Sequence, residues 1–361
     1  MFKAKTSKGV IVDIESINTV SKTSQRYNCP YCNHEVIIRA GDKYRKHFSH
    51  KNADHCNYER ESIRHYEGKL TLYRWLINQT KEVDVEYYLK AINRIADLYV
   101  RMSGKKYVIE LQCSQVKPDV ILKRTADYNR LGIDVIWIIY KEHVKFKKNR
   151  KLTEFEIACM KHDQIVYMSE TSIFIYRAVM NSSSNTFNGM WIKRHLNDLI
   201  IDNLLDRNDV TNTMNWVEVK QTWRLKDCLY FIKYNRMYAN FVYNNGFQPS
   251  LFPVEIGIPI KEQYLIKMNP FVWQSYIYIY IFIFEQIDWY DVFRYCRNKF
   301  CFRTTDEHKI MNLIREYLNY LIKRECIQIL DNVIYRKEMK HKELNAEEAL
   351  ENDQKWNLKV K

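Results

Sequence analysis

The chain has no run long enough to span a bilayer. Its most apolar stretch, Val272 to Phe284, covers about 13 residues where a transmembrane helix needs roughly 20, and Gln274, Ser275 and several tyrosines interrupt it. It reads as a buried helix or a pair of strands. Met1 to Val20 lack the positive start, apolar run and small-residue cleavage site of a secretory signal, so a cytoplasmic protein is expected. There is no internal repeat, no Gly-rich phosphate loop and no coiled-coil heptad, which excludes solenoids, P-loop nucleotide hydrolases and long coiled coils. In a reducing compartment the nine cysteines read as metal ligands or reduced core thiols, not as a disulfide framework.

With 361 residues, two or three domains are expected, each able to bury its own core. A formal charge of +14 favours a polyanionic partner, most simply nucleic acid, because each neutralised phosphate releases counterions. The 27 tyrosines, 16 phenylalanines and 8 tryptophans add surfaces on which bases can stack, although most will be core.

The chemistry concentrates between Arg94 and Ser114, where two apolar strands flank a short turn at Gly104. Strand side chains alternate, so Glu110, Gln112 and Ser114 share one face, and Asp97 on the preceding strand can reach it. Neighbouring carboxylates on a sheet are costly to desolvate unless a cation lies between them. The pattern therefore reads as a divalent-metal site of nuclease type.

Near the amino end, Cys29-Pro-Tyr-Cys32 has knuckle spacing, and a second arm carries His47-Phe-Ser-His50, His55 and Cys56. Tetrahedral Zn²⁺ takes two ligands from such a turn and two from another arm. The preferred set is Cys29, Cys32, His50 and Cys56, with His47 as the main competitor. Four protein ligands leave no open position, so the role is structural.

A helix is expected over residues 58–78, with Glu61, His65 and Lys69 on one stripe. Strands follow at 82–88, 93–101 and 106–114, then a helix at 118–131 and a strand at 133–140. The apolar run Val135 to Ile139 suits a strand covered on both faces. On the second helix Arg124 and Tyr128 share a face and are placed to grip a phosphate or orient Gln112. Arg94 is read as clamping DNA or holding Asp97. The basic run Lys141 to Lys151, including Lys147 and Lys148, reads as a domain boundary able to track a phosphate backbone. From about 152 the pattern looks mostly helical, with amphipathic stretches at Trp191 to Leu205 and Ile310 to Tyr320, and Arg336 to Lys361 reads as a solvated helix or frayed tail.

Taken together, Cys-Pro-x-Cys, His-Phe-x-His, Glu61-Ser62 with His65 and Lys69, Arg94 with Asp97, Glu110-x-Gln112-x-Ser114, Arg124 with Tyr128, and the strand around Trp137 resemble the competence protein CoiA family. Phe252-Pro253, Ile256-Gly-Ile-Pro259 and Pro270-Phe-Val-Trp-Gln274 extend the resemblance into the carboxyl half. It implies an α+β fold with a restriction-endonuclease-like mixed sheet of the PD-(D/E)xK superfamily flanked by helices. A zinc-knuckle segment would precede it and a mostly helical domain follow. The implied division is 1–57, 58–145, 152–335 and a charged tail at 336–361. The resemblance also implies processing of incoming DNA, single-stranded or branched, in concert with a RecA-type recombinase and the competence machinery.

Residue by residue, Asp97 and Glu110 take the places of the metal-binding acids for Mg²⁺ or Mn²⁺, and Glu61 that of a helix-borne third carboxylate. Gln112 falls where the superfamily has lysine. An amide can orient a water but cannot lower its pKa as an ammonium does, leaving His65 or Lys69 to supply that charge. Two classes follow: a metal-dependent deoxyribonuclease, and a non-catalytic DNA-binding recombination mediator that keeps the nuclease fold.

Overall fold

The fold is described from a computed structural model, over residues 1–361 other than 15, 18–24, 42–43, 52–55, 57–61, 182, 205–215, 338–344 and 358–361. The chain divides into two compact units. The first comprises Met1–Lys145, Phe155–Tyr176 and Ile192–Asp206, and the second comprises Phe146–Glu154, Arg177–Trp191 and Arg207–Lys361.

The first unit opens with five short strands, β1 (Lys3–Thr6), β2 (Ile11–Asp13), β3 (Tyr27–Asn28), β4 (Glu35–Gly41) and β5 (Tyr44–His50). They form an antiparallel sheet in the order β2-β1-β3-β4-β5. Helix α1 (Ile63–Ile77) follows, capped by the Ser62 hydroxyl accepting from the His65 amide. Next come β6 (Val83–Leu89), β7 (Arg94–Met102), β8 (Lys105–Gln112), α2 (Pro118–Arg130) and β9 (Asp134–Tyr140), close to the expected boundaries.

Beyond β10 (Asn149–Lys151) and α3 (Glu154–Ala158), strands β11 (Gln164–Ser169), β12 (Ser172–Asn181) and β13 (Thr186–His195) continue the chain. Strands of the first unit's main sheet run in the order β12-β11-β9-β8-β7-β6. β6, β7 and β8 pair antiparallel, whereas β9 lies parallel to both β8 and β11, so the sheet is mixed. Its central strands are covered on both faces: Val108 and Ile109 on β8, and Ile136 and Trp137 on β9, are all buried. α1 packs closely because Gly68 faces Leu111, where an added Cβ would lie 2.4 Å from the leucine Cδ2. That approach brings His65 and Lys69 over the sheet.

The helical reading of Trp191 to Leu205 is corrected over its described residues, 191–204: this segment is the end of β13 followed by 3-10 turns at Leu196–Asp198 and Ile201–Asn203. Leu196, Ile201 and Leu204 are buried, so the apolar spacing that resembled a helix face serves irregular backbone pinned to the core.

In the second unit β10 pairs antiparallel with β13. The helices are α4 (Trp216–Thr222), running through a π-helical turn at Trp223–Asp227 into α5 (Cys228–Tyr234), then α6 (Arg236–Asn244), α7 (Pro270–Ile283), α8 (Trp289–Lys299), α9 (Glu307–Lys323) and α10 (Ala346–Asn357). Strands β14 (Gln286–Asp288), β15 (Ile327–Leu330) and β16 (Val333–Arg336) form a small sheet. α7 is the expected buried apolar segment, and it is a helix. The tail, read as a solvated helix or a frayed segment, is a helix over Ala346–Asn357 with part of one side buried. α10 turns Asp353 fully inward, where its carboxylate takes Lys220 at 3.1 Å and Arg224 at 2.7 Å. No helix among the described residues is long and apolar enough to cross a membrane.

Candidate functional site

The β7–β8 register pairs Leu98 with Ile109, and one step further Asp97 comes beside Glu110. The two carboxyl groups interact, the Asp97 charge helping to raise the Glu110 carboxyl. Both line a cleft of about 1160 Å³ in the first unit, to which α1 contributes His65 and Lys69, β6 Glu86, β7 Arg94, β8 Gln112, and α2 Arg124. Ser114 lies exposed at its edge. Glu61 and His55 fall outside the described residues.

Asp97 Oδ2 accepts from the Leu111 amide at 2.9 Å and lies 3.1 Å from His65 Nε2, which is also 2.7 Å from the Leu111 carbonyl oxygen. Both neighbours of that nitrogen are acceptors, so Nε2 carries the hydrogen and donates. Burial alone would raise the Asp97 carboxyl. The His65 contact, the Lys69 charge and the Leu111 amide outweigh it and hold the group at about 2.

Glu110 is fully buried, as expected for a residue on a two-sided central strand. Arg124 Nη2 donates to its Oε2 at 2.7 Å, and the Tyr128 hydroxyl donates to Oε1. Burial pushes this carboxyl up to about 7; Asp97 adds to the rise, while Arg124 and Tyr128 oppose it. The Arg124 guanidinium sits 5.3 Å from the centre of the Trp137 ring, and its Nε is buried without a hydrogen-bond partner. Each carboxylate oxygen has two lone-pair directions, so these contacts leave acceptor capacity on the acid pair. With the Gln112 amide lining the same cleft, the donors are hard oxygens of the kind Mg²⁺ and Mn²⁺ take.

Arg94 makes a two-nitrogen ion pair with Asp127 of α2, at 2.8 and 2.7 Å, and not with Asp97. Arg124 and Tyr128 reach Glu110. Lys69 donates to Glu86 Oε1 at 2.8 Å in an almost fully buried pair. The Glu86 carboxylate also accepts from the Phe2 amide, its backbone carbonyl takes the Tyr31 hydroxyl at 2.7 Å, and its φ is +52° in mid-strand. Neither Glu86 nor Tyr31 is singled out by motif spacing. In Val83-Asp-Val-Glu-Tyr the acid falls on the polar positions of an ordinary alternation, so β6 carried no signal for it. Lys147 and Lys148 belong to the second unit, where both are exposed.

The cysteine and histidine arms do converge. One ligand atom from each of Cys29, Cys32, His50 and Cys56 lies within 4.8 Å of the others, and among the described residues this is the one such group of three or more. Cys29 Sγ is 3.7 Å from Cys56 Sγ, and Cys32 Sγ is 3.2 Å from His50 Nε2. A tetrahedron with Zn–S bonds of about 2.3 Å has edges of about 3.8 Å, so the cluster could bind zinc. His47 and His50 are three residues apart on β5 and face opposite sides, which is why His50 joins the set. The knuckle's Tyr31 and Cys32 also line the acid cleft.

Three family models match in tandem: the N-terminal domain of competence protein CoiA over residues 12–59, its nuclease-like domain over 61–209, and its C-terminal domain over 211–350. Competence protein CoiA of Bacillus subtilis (strain 168) is 26% identical over 272 residues, covering 71% of this chain and 72% of that protein. No solved structure matches.

Proposed function

The chain belongs to the competence protein CoiA family, and on that premise we propose that it is a divalent-metal-dependent deoxyribonuclease that processes DNA during natural competence and homologous recombination. The observation that carries this reading is the pair Asp97 and Glu110, side by side on neighbouring strands at the wall of an open cleft. Two such acids, one of them fully buried, are costly to ionise together, and a cation between them removes that cost.

Asp97 and Glu110, with Glu61 as the third carboxylate that the family resemblance implies, would hold Mg²⁺ or Mn²⁺, which when bound neutralises charge on the scissile phosphate and acidifies a water. The chain's own groups do the rest. Asp97 stays ionised through His65 and the Leu111 amide. Arg124 and Tyr128 fix the orientation of Glu110. The Gln112 amide orients the attacking water, and the buried Lys69 adds fixed positive charge to this side of the cleft. Zinc on Cys29, Cys32, His50 and Cys56 would be structural, holding the knuckle that presents Tyr31 to Glu86. A RecA-type recombinase is the partner that the family resemblance implies.

A second reading, a DNA-binding mediator without cleavage, is favoured by Gln112 at the lysine position and by the Arg124–Glu110 pair. Single-stranded, duplex and branched DNA incubated with Mg²⁺ or Mn²⁺ separates the two. Glu110→Ala is expected to lose cleavage by at least about 100-fold while binding persists. Binding with no metal-dependent cleavage of any substrate favours the mediator.

A further inference from the structure

We propose that Phe146, mounted on Trp191 and Arg150 within the second unit, is a stacking platform for an unpaired base, so that this basic strip selects single-stranded DNA. The proposal rests on the reading of the protein as DNA-binding and names the form of DNA that this part of it takes.

Between Glu142 and Glu154 the chain has no carboxylate and carries Lys145, Lys147, Lys148, Arg150 and Lys151. The four lysines are exposed. Such a run is ordinarily a solvated connector, but here the backbone is fixed. Arg150 pairs with Phe187 across β10 and β13, the Gly189 amide donates to the Lys148 carbonyl at 2.9 Å, and the Trp191 indole N–H donates to the Lys147 carbonyl at 3.1 Å. The backbone that carries Lys147, Lys148 and Arg150 is therefore fixed against β13 in the second unit.

Amid them, Phe146 keeps 56% of its surface exposed. It meets Trp191 edge-to-face with ring centres 5.4 Å apart, and the Arg150 guanidinium sits 5.0 Å from the centre of the Trp191 ring. An exposed apolar ring braced by a second ring, which itself carries a cation on its face, loses less conformational freedom on binding than a free side chain would. Every base has a π face, and only an unpaired base can present it to a side chain, so a fixed ring among phosphate-binding cations discriminates by strandedness and not by sequence. Duplex DNA offers the lysines its phosphates but leaves Phe146 without a partner.

The test measures fluorescence anisotropy of a labelled oligothymidylate and of a duplex of equal length, across a salt series and without added divalent metal, so that no cleavage is involved. Phe146→Ala is expected to weaken oligothymidylate binding about 5- to 100-fold with an unchanged salt slope, and duplex binding less than about twofold. Phe146→Trp is expected to retain the single-strand preference, which separates lost stacking from a disturbed strand. Lys147→Ala with Lys148→Ala is expected to weaken both ligands and flatten the salt dependence. Equal losses on both ligands in Phe146→Ala, no loss on either, or a wild-type protein indifferent to strandedness would overturn the platform. Cleavage dependent on Glu110 is scored separately, so either conclusion can fail alone.

Discussion

Glu110 is fully buried and its carboxyl is lifted from an ordinary 4.5 to about 7. In the metal-free protein the folded state therefore holds this proton more tightly than the unfolded chain. That preference stabilises the fold below pH 4.5 and is lost as pH rises through 7. At about 1.4 kcal/mol per pH unit the window is worth about 3 kcal/mol. Replacing Glu110 with glutamine removes the titration and keeps an acceptor for Tyr128. Urea unfolding of both proteins between pH 4.5 and 8, in buffers without added Mg²⁺, should show wild-type stability falling by about 3 kcal/mol relative to Glu110→Gln. Added Mg²⁺ should restore part of that loss only in the wild type, because a cation takes the proton's place. Parallel pH curves for the two proteins would refute the account of Glu110 as a strained acid. At the acid end Asp97, held at about 2 against an ordinary 3.8, contributes the opposite limb. Its stabilisation is present above pH 4 and disappears as pH falls toward 2.

Elemental analysis is expected to find one zinc per chain, absent after Cys29→Ser with Cys32→Ser; zinc retained in that variant would exclude the cluster as its site. Lys69→Met leaves the Glu86 carboxylate buried without its ammonium and is expected to cost about 3–5 kcal/mol in urea unfolding, with Glu86→Gln in the same chain recovering much of it. No recovery would mean that the pair is not the source of the loss. Gly68→Ala places a Cβ 2.4 Å from Leu111 Cδ2 and should cost about 1–3 kcal/mol while lowering Glu110-dependent cleavage, since α1 must lift away from the sheet. A neutral variant would show that the helix has room to spare.

The readable parts of this protein are those in which neighbours in sequence carry the signal. The alternation around Glu110, the Cys-x2-Cys turn and the hairpin at Gly104 each state their geometry within a few residues, and the structure places them as expected. What could not be read is pairing at a distance. Nothing in the spacing of Arg124 and Tyr128 says that they answer Glu110, because that contact depends on how α2 lies over the sheet. Arg94 finds Asp127, 33 residues on, for the same reason. Glu86 and Tyr31 are further still, 55 residues apart, joined where the knuckle turn meets β6. The segment from Trp191 to Leu205 misled because apolar residues at helical spacing also arise when irregular backbone is pinned to a core at several points.

Parallel pairing of β8 with β9 has a consequence for assembly. Antiparallel neighbours β7 and β8 can zip from their own turn, but parallel strands need a crossing segment, and here that segment is α2. Asp97 and Glu110 are thus adjacent as soon as the hairpin closes, while the guanidinium that steadies them arrives only when the crossover docks. A nascent chain caught between these events carries two bare acids and no walled cleft, so the assembled site comes late in folding, after the topology is complete.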